Sequence, residues 1–214
     1  MVLVNSLYTR TNTYKNIVEK AGTGKFDKVP EGLQVVNLGS SHGEWAFDYS
    51  NIRARRGFNM ALSSQDFYYD YQVLKRYREN LAPGCVVLIP VSYFSFGMNV
   101  RENTGFDYRY YGILPYRVIV GHNLTDYLKY RWCPVMFTGY GGIKALFSDE
   151  RFQVDPDKVL YKNNYSTAEL DSFARKRAAF HEEILERPKS DYDFNIGNLD
   201  KLLDYCKREG LKPV

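Results

Sequence analysis

Serine and histidine at the ends of apolar runs are the residues of this chain best suited to chemistry. Leu33 to Trp45 reads LQVVNLGSSHGEW: an apolar run (Leu33, Val35, Val36, Leu38) breaks at Gly39 into Ser40, Ser41 and His42. Gly57 to Leu62 runs out into Ser63, Ser64 and Gln65, and Cys85 to Val91 delivers Ser92 and Tyr93. Serine with histidine is the pairing of nucleophilic catalysis, in which the imidazole takes the hydroxyl proton. Short runs rich in β-branched residues and closed by glycine read as buried strands. In open α/β sheets, ligands bind at the carboxyl ends of such strands. Gly39 allows a sharp turn and a close approach by a ligand. The competing reading is structural: Ser40 or Ser41 caps the helix that follows.

The elements that would position these residues alternate. Strands are predicted over 33–38, 57–62 and 85–91, with the last central and Pro90 near its end. Between them, Trp45 to Ile52 reads as a short helix. Asp66 to Leu81 reads as a longer one with Phe67, Tyr71, Leu74 and Tyr77 on one stripe. Pro83-Gly84 reads as a turn. Strand, helix, strand at this spacing implies a parallel sheet with right-handed crossovers, and hence a three-layer α/β/α sandwich of flavodoxin-like type.

Alternation stops at about Gly97. The stretch 97–164 is a tyrosine-rich insertion, with helical patches at 124–130 and 143–147, placed to cap the functional edge. Helices resume over 167–186, opened by the capping box of Ser166 and Glu169, and over 196–209, stopped by Gly210. Leu211 to Val214 reads as the entry to a further strand, so the chain looks cut short there. At the other end, residues 12–21 form a short helix and 22–30 a loop. Its GTGK (Gly22 to Lys25) lacks the glycine spacing and the Ser/Thr of a phosphate loop. Residues 1–30 thus make an N-terminal helix and linker, whose apolar Val2 to Leu7 resembles the outer end of a membrane anchor. Residues 31–214 make one α/β domain.

Composition sets outer limits. The chain has 214 residues, 44% hydrophobic and 25% charged, ordinary for a globular domain with a sizeable core. Its 19 tyrosines, against 13 phenylalanines and 2 tryptophans, offer flat surface with a hydroxyl, suited to sugars or to a polar core edge. A net charge of +4 with dispersed basic residues carries no nucleic-acid footprint. The tightest cluster, Arg53, Arg55 and Arg56, reads as a solvated loop, with a site for a phosphate or acidic polymer as the alternative. Cys85, Cys133 and Cys206 lack disulfide or zinc spacing. Neither a metal nor a cofactor is expected. No apolar stretch reaches the ~20 residues of a spanning helix.

Gly39-Ser40-Ser41-His42 after a strand, FNMALSSQDFYYDY (Phe58 to Tyr71) and VVLIPVSYFSF (Val86 to Phe96), in that order and spacing, resemble the SGNH (GDSL-like) hydrolase superfamily. The latter two blocks look like its branch allied to polysaccharide O-acetylation and D-alanyl-transfer proteins. The resemblance covers roughly residues 30–96. It implies a serine esterase or O-acyltransferase acting on a carbohydrate or cell-envelope polymer through an acyl-serine intermediate. A membrane-bound acyl-transfer partner and an extracytoplasmic, membrane-anchored full-length protein come with it. Ser41 matches the nucleophile, and its N–H one oxyanion donor. Ser64 stands where the family has a glycine whose N–H is the second donor. Ser92-Tyr93 takes the place of the family's Asn, and Ser40 that of its Asp. His42, Gln65, Ser92 and Tyr93 are the expected substrate-side residues. The family's base lies in an Asp-x-x-His, and none of His42, His122 and His181 has Asp three residues before it. His42 adjoins Ser41, but neighbours at such a turn point apart, and His181 falls mid-helix among charges, a solvated position. The base is therefore expected beyond Val214. The alternative is a non-catalytic polysaccharide-binding or assembly protein of the same fold.

Overall fold

The structure, a computed structural model, describes residues 2–20, 22–52, 54–98, 104–121, 123–147 and 165–214. Helices α1 (Val2–Tyr8) and α2 (Asn12–Lys20) precede strand β1 (Leu33–Asn37) and the short helix α3 (Ser41–Ala46). Then come β2 (Gly57–Asn59), α4 (Phe67–Arg76) and β3 (Leu81–Leu88). Helices α5 (Leu124–Trp132), α6 (Pro134–Phe137), α7 (Tyr140–Phe147), α8 (Thr167–Leu185) and α9 (Lys189–Arg208) lead to β4 (Lys212–Pro213).

The four strands form one parallel sheet in the order β2-β1-β3-β4, flanked by helices, as the alternating pattern requires. β1 is interior, with Val36 in register with Phe58 on one side and Val87 on the other. From β1 the chain moves first to one side, to β2, and then back across to β3. The order therefore reverses between β1 and β3, and that reversal opens a crevice at the carboxyl ends of these two strands. The residues Leu211 to Val214 supply the fourth strand. Val214 N–H donates to Val87 O and Ile89 N–H to Val214 O, both at 2.9 Å.

Three expectations need correction. Pro83-Gly84 is not a turn between elements but lies inside β3. Leu33 pairs with Leu81 while Val35 pairs with Val86, so β3 carries extra residues there, with Gly84 at φ +71. Proline cannot donate to a ladder and glycine adopts this φ freely, so the pair makes a bulge. The short helix after β1 spans Ser41–Ala46 rather than Trp45 to Ile52. Helix α9 begins at Lys189, seven residues before the expected 196, because its first half buries polar side chains. Asp191, Asn195 and Asn198 are all enclosed. Asn195 Nδ2 donates to Phe96 O at 2.9 Å, and to Met98 O. An apolar periodicity search passes over such a face.

The core is built on β1 and β3 (Leu33, Val36, Leu38, Val87), on α4 (Val73, Leu74) and on Leu202 of α9. The described part of the insertion joins it. Tyr110, Tyr111, Ile113, Leu114 and Ile119 are buried in the same cluster, and the Tyr110 ring stacks on Tyr69 at 3.7 Å. These tyrosines are core-edge residues, the polar-edge reading of the composition. Residues 99–103 and 148–164 of the insertion, with His122 and Arg53, lie outside the described residues.

Candidate functional site

The crevice is framed by backbone bonds that hold the ends of the strands together. Leu38 N–H donates to Leu88 O at 3.0 Å and Leu62 N–H to Gly39 O at 3.2 Å. Gly39 stands at φ +105, and a Cβ on it would lie 3.3 Å from Pro90 Cδ. Glycine here permits both the turn and the close passage of the two loops. Gly39 N–H donates to Asp70 Oδ1 at 2.7 Å, and Gln65 Nε2 donates to the same oxygen at 2.7 Å. One carboxyl on α4 therefore ties the turn after β1 to the turn after β2. It is fully enclosed, and burial pushes its pKa up to about 7 against the lowering effect of the two N–H donors.

α3 is too short to be stable by propensity, and it is held by two asparagines at the ends of paired strands. Asn37 and Asn59 are register partners, and Asn37 Nδ2 donates to Asn59 Oδ1 at 3.0 Å and to Gly43 O at 2.9 Å. Asn59 Nδ2 reaches Gly43 O at 3.2 Å and both Glu44 O and Phe47 O at 2.9 Å. Carbonyls that a short helix would leave open are thereby satisfied. Ser40 occupies the N-cap position without a side-chain cap bond, so the capping role considered for these serines is not used by Ser40.

Ser41 opens α3, half-buried at the carboxyl end of β1. Ser64 is exposed and holds φ +59, the single positive φ of a non-glycine among the described residues. A left-handed backbone is what glycine adopts without strain; a serine carries it at a cost on the order of 1 kcal/mol. The loop is braced from the insertion. Arg109, itself buried, donates to Ser63 O, and Tyr110 OH donates to Gln65 Oε1 at 3.3 Å.

Four more sequence candidates follow. Gln65 is buried, its side-chain bonds all internal: Nε2 to Met60 O and Asp70, Oε1 from Tyr110. His42 is exposed, and its Nδ1 lies 3.4 Å from Ser92 Oγ, so side chains from the two sides of the crevice meet. Its ring stands edge-on to the buried Phe94 at 5.0 Å. Tyr93 is 57% exposed, and its hydroxyl bonds His181 Nδ1.

His181 is the residue that sequence reasoning misjudged. It is not a solvated mid-helix histidine: it packs against Tyr93 and Phe94, each at 5.4 Å, and its Nε2 is buried. α8 is otherwise exposed over almost its whole length and docks by this end, where Ile184 packs on Gly97. A lone histidine in a charged helix carries no spacing signal that would reveal this.

Beside α3, Lys25 comes from the rejected GTGK loop to donate to Ala61 O at 2.5 Å. Burial lowers its pKa to about 8, partly offset by Glu44. Glu44 accepts from Ser63 Oγ at 2.6 Å. Among the described residues no group of three His, Cys, Asp or Glu side chains converges as a metal site, and no helix is long and apolar enough to cross a membrane. Cys85 and Cys206 are buried, with burial raising both thiol pKa values to about 11. Comparison with protein-family models, with curated proteins and with solved structures finds no match.

Proposed function

We propose that the crevice between β1 and β3 is the site of an SGNH-type serine esterase or O-acyltransferase acting on a carbohydrate or cell-envelope polymer. The observation that carries this reading is the Ser92–His42 contact across the carboxyl edge where the strand order reverses, with Ser41 following β1 and Ser64 following β2. In the reaction, Ser41 Oγ attacks the acyl carbonyl. The oxyanion is received by the N–H groups of Ser41 and Ser64, and a base takes the serine proton and returns it to the departing alkoxide. An acceptor hydroxyl then attacks acyl-Ser41 and gives its proton to the base, which passes it to Ser41 Oγ as the acyl–Oγ bond breaks and the acylated acceptor leaves. The acyl donor belongs to a membrane-bound partner, and the whole protein to the extracytoplasmic face.

The base is the open assignment. The Asp-x-x-His of the resemblance has no counterpart in this sequence, so the reading places the base in a continuation of the reading frame past Val214. Losing the base of a serine–histidine pair costs on the order of 10⁴ to 10⁶ in turnover. Aryl-acetate hydrolysis is accordingly expected to be equal in this chain and its Ser41→Ala variant, and Ser41-dependent in a chain extended along the frame. Robust Ser41-dependent turnover by the 214 residues would move the base to a histidine of this chain. A second reading, a non-catalytic glycan-binding protein of the same fold, is favoured by the exposed rings of Trp45 and Tyr93 at this edge. It wins if the extended chain hydrolyses no aryl ester while still binding polysaccharide.

A further inference from the structure

Along α3, on the side of β2, runs an open groove of about 410 Å³, within the size range of small-ligand sites. Trp45, Tyr49 and Phe58 form an aromatic wall, and Lys25, Glu44 and Asp48 supply charged groups. Most of these side chains are fixed from behind. The Tyr49 ring lies so close on Gly57 that a Cβ there would come within 2.1 Å of it. Phe58 meets Phe26 edge-on at 5.9 Å. Lys25 is held by Ala61 O, Glu44 by the Ser63 hydroxyl, and Asp48 accepts from Ser50 N–H at 2.9 Å and Ser50 Oγ at 3.0 Å. Trp45 differs: the residue is 57% exposed and open to a ligand.

An aromatic face opposite fixed donors and acceptors suits a ligand with an apolar flat face and a polar rim. A pyranose has that form: its axial C–H groups lie on the ring while its hydroxyls reach the lysine and the carboxylates. A purely apolar ligand would leave three charged groups facing it, at a desolvation cost. Two carboxylates against one ammonium disfavour an anionic sugar or a phosphate. α3 relates the groove to Ser41. Ser41 and Trp45 are four residues apart on α3, so their side chains are neighbours on one helix face.

We propose that this groove is a subsite for one uncharged pyranose unit of a glycan, stacked on Trp45 and presenting its hydroxyl toward Ser41. The acceptor role rests on the esterase or acyltransferase reading above; the binding itself does not. Affinity electrophoresis through gels containing dextran, glucomannan, galactan or chitotetraose-grafted polymer tests it, with polygalacturonate as the anionic comparison. At least one uncharged glycan is expected to retard the protein. Trp45→Ala is expected to weaken that retardation about tenfold or more, and Trp45→Tyr to restore part of it. Far-UV circular dichroism of both variants reports that they are folded. No retardation by any uncharged glycan, equal retardation of wild type and Trp45→Ala, or preference for polygalacturonate would each overturn the assignment. Since retardation needs no turnover, glycan binding without Ser41-dependent hydrolysis by the extended chain would remove the reaction and leave the subsite. Hydrolysis without Trp45-dependent binding would do the reverse.

Discussion

Asp70 concentrates the electrostatics of the crevice in one enclosed carboxyl. Its ordinary pKa of 3.8 is carried to about 7 by burial, with Asp66 adding to the rise and the Gly39 and Gln65 donors opposing it. Between these values the unfolded chain has released the proton and the folded chain still holds it. Stability therefore falls as pH rises through this window, by a total on the order of 4 kcal/mol from this group. The full benefit is present below about pH 4, and the full penalty above about pH 7. Asp70→Asn keeps an oxygen to accept from Gly39 and Gln65 and removes the charge. Urea unfolding of both proteins from pH 4 to pH 8 is expected to show the difference in stability moving steadily toward the Asn variant. Parallel profiles would show that Asp70 titrates in the usual carboxylate range. Nothing in the sequence marks Asp70, because one acid on a helix face makes no pattern. Ser41, Ser64 and Ser92 were legible because each ends an apolar run.

Elements were legible where their buried faces are apolar and hidden where those faces are polar. β1 and β3 announced themselves by their Val and Leu content, β2 by Phe58 ahead of Met60 and Leu62, and α4 by its stripe behind the Asp66 cap, which accepts from Tyr69 N–H at 3.1 Å. The first half of α9 did not, since Asp191 and Asn195 face inward. α3 is the sharper case. It is held by the Asn37–Asn59 pair, and an asparagine closing a strand reads in sequence as a turn residue. Asn59→Leu keeps the branching at Cγ in a somewhat larger side chain and removes the donor to three carbonyls, those of Gly43, Glu44 and Phe47, together with the acceptor for Asn37 Nδ2 and Ala61 N–H. At about 1 kcal/mol net for each bond, the variant is expected to be about 2–3 kcal/mol less stable in urea unfolding. A stability within 0.5 kcal/mol of wild type, about the range of surface changes, would show that α3 is held by other contacts.

At the scale of the molecule, the segment Tyr110 to Ile119 of the insertion shares the core of the sheet, while Val135 and Ala145 pack with Tyr8 in a second cluster. Tyr110 is stacked on Tyr69 of α4, the Tyr68 hydroxyl donates to Val118 O at 2.7 Å, and Val120 N–H donates to the Tyr69 hydroxyl at 3.2 Å. The same segment braces the loop of Ser64 through Arg109 and Tyr110. A tyrosine-rich insertion between strands reads in sequence as a cap, since periodicity does not say which neighbours a ring will find. Shared packing has a consequence for unfolding: the segment Tyr110 to Ile119 cannot melt first and leave the sheet intact. The two tryptophans report on the two regions, Trp45 on α3 and Trp132 at the end of α5. Proteins carrying Trp45→Phe or Trp132→Phe are expected to give coincident fluorescence transitions in urea, as one cooperative unit does. Tyr110→Ala removes a fully buried ring, a change that costs about 3–5 kcal/mol in well-packed cores. It should lower both midpoints by the same amount. A fall in the Trp132 signal alone, with the Trp45 transition unmoved, would divide the insertion from the sheet and return it to the role of a separately folded cap.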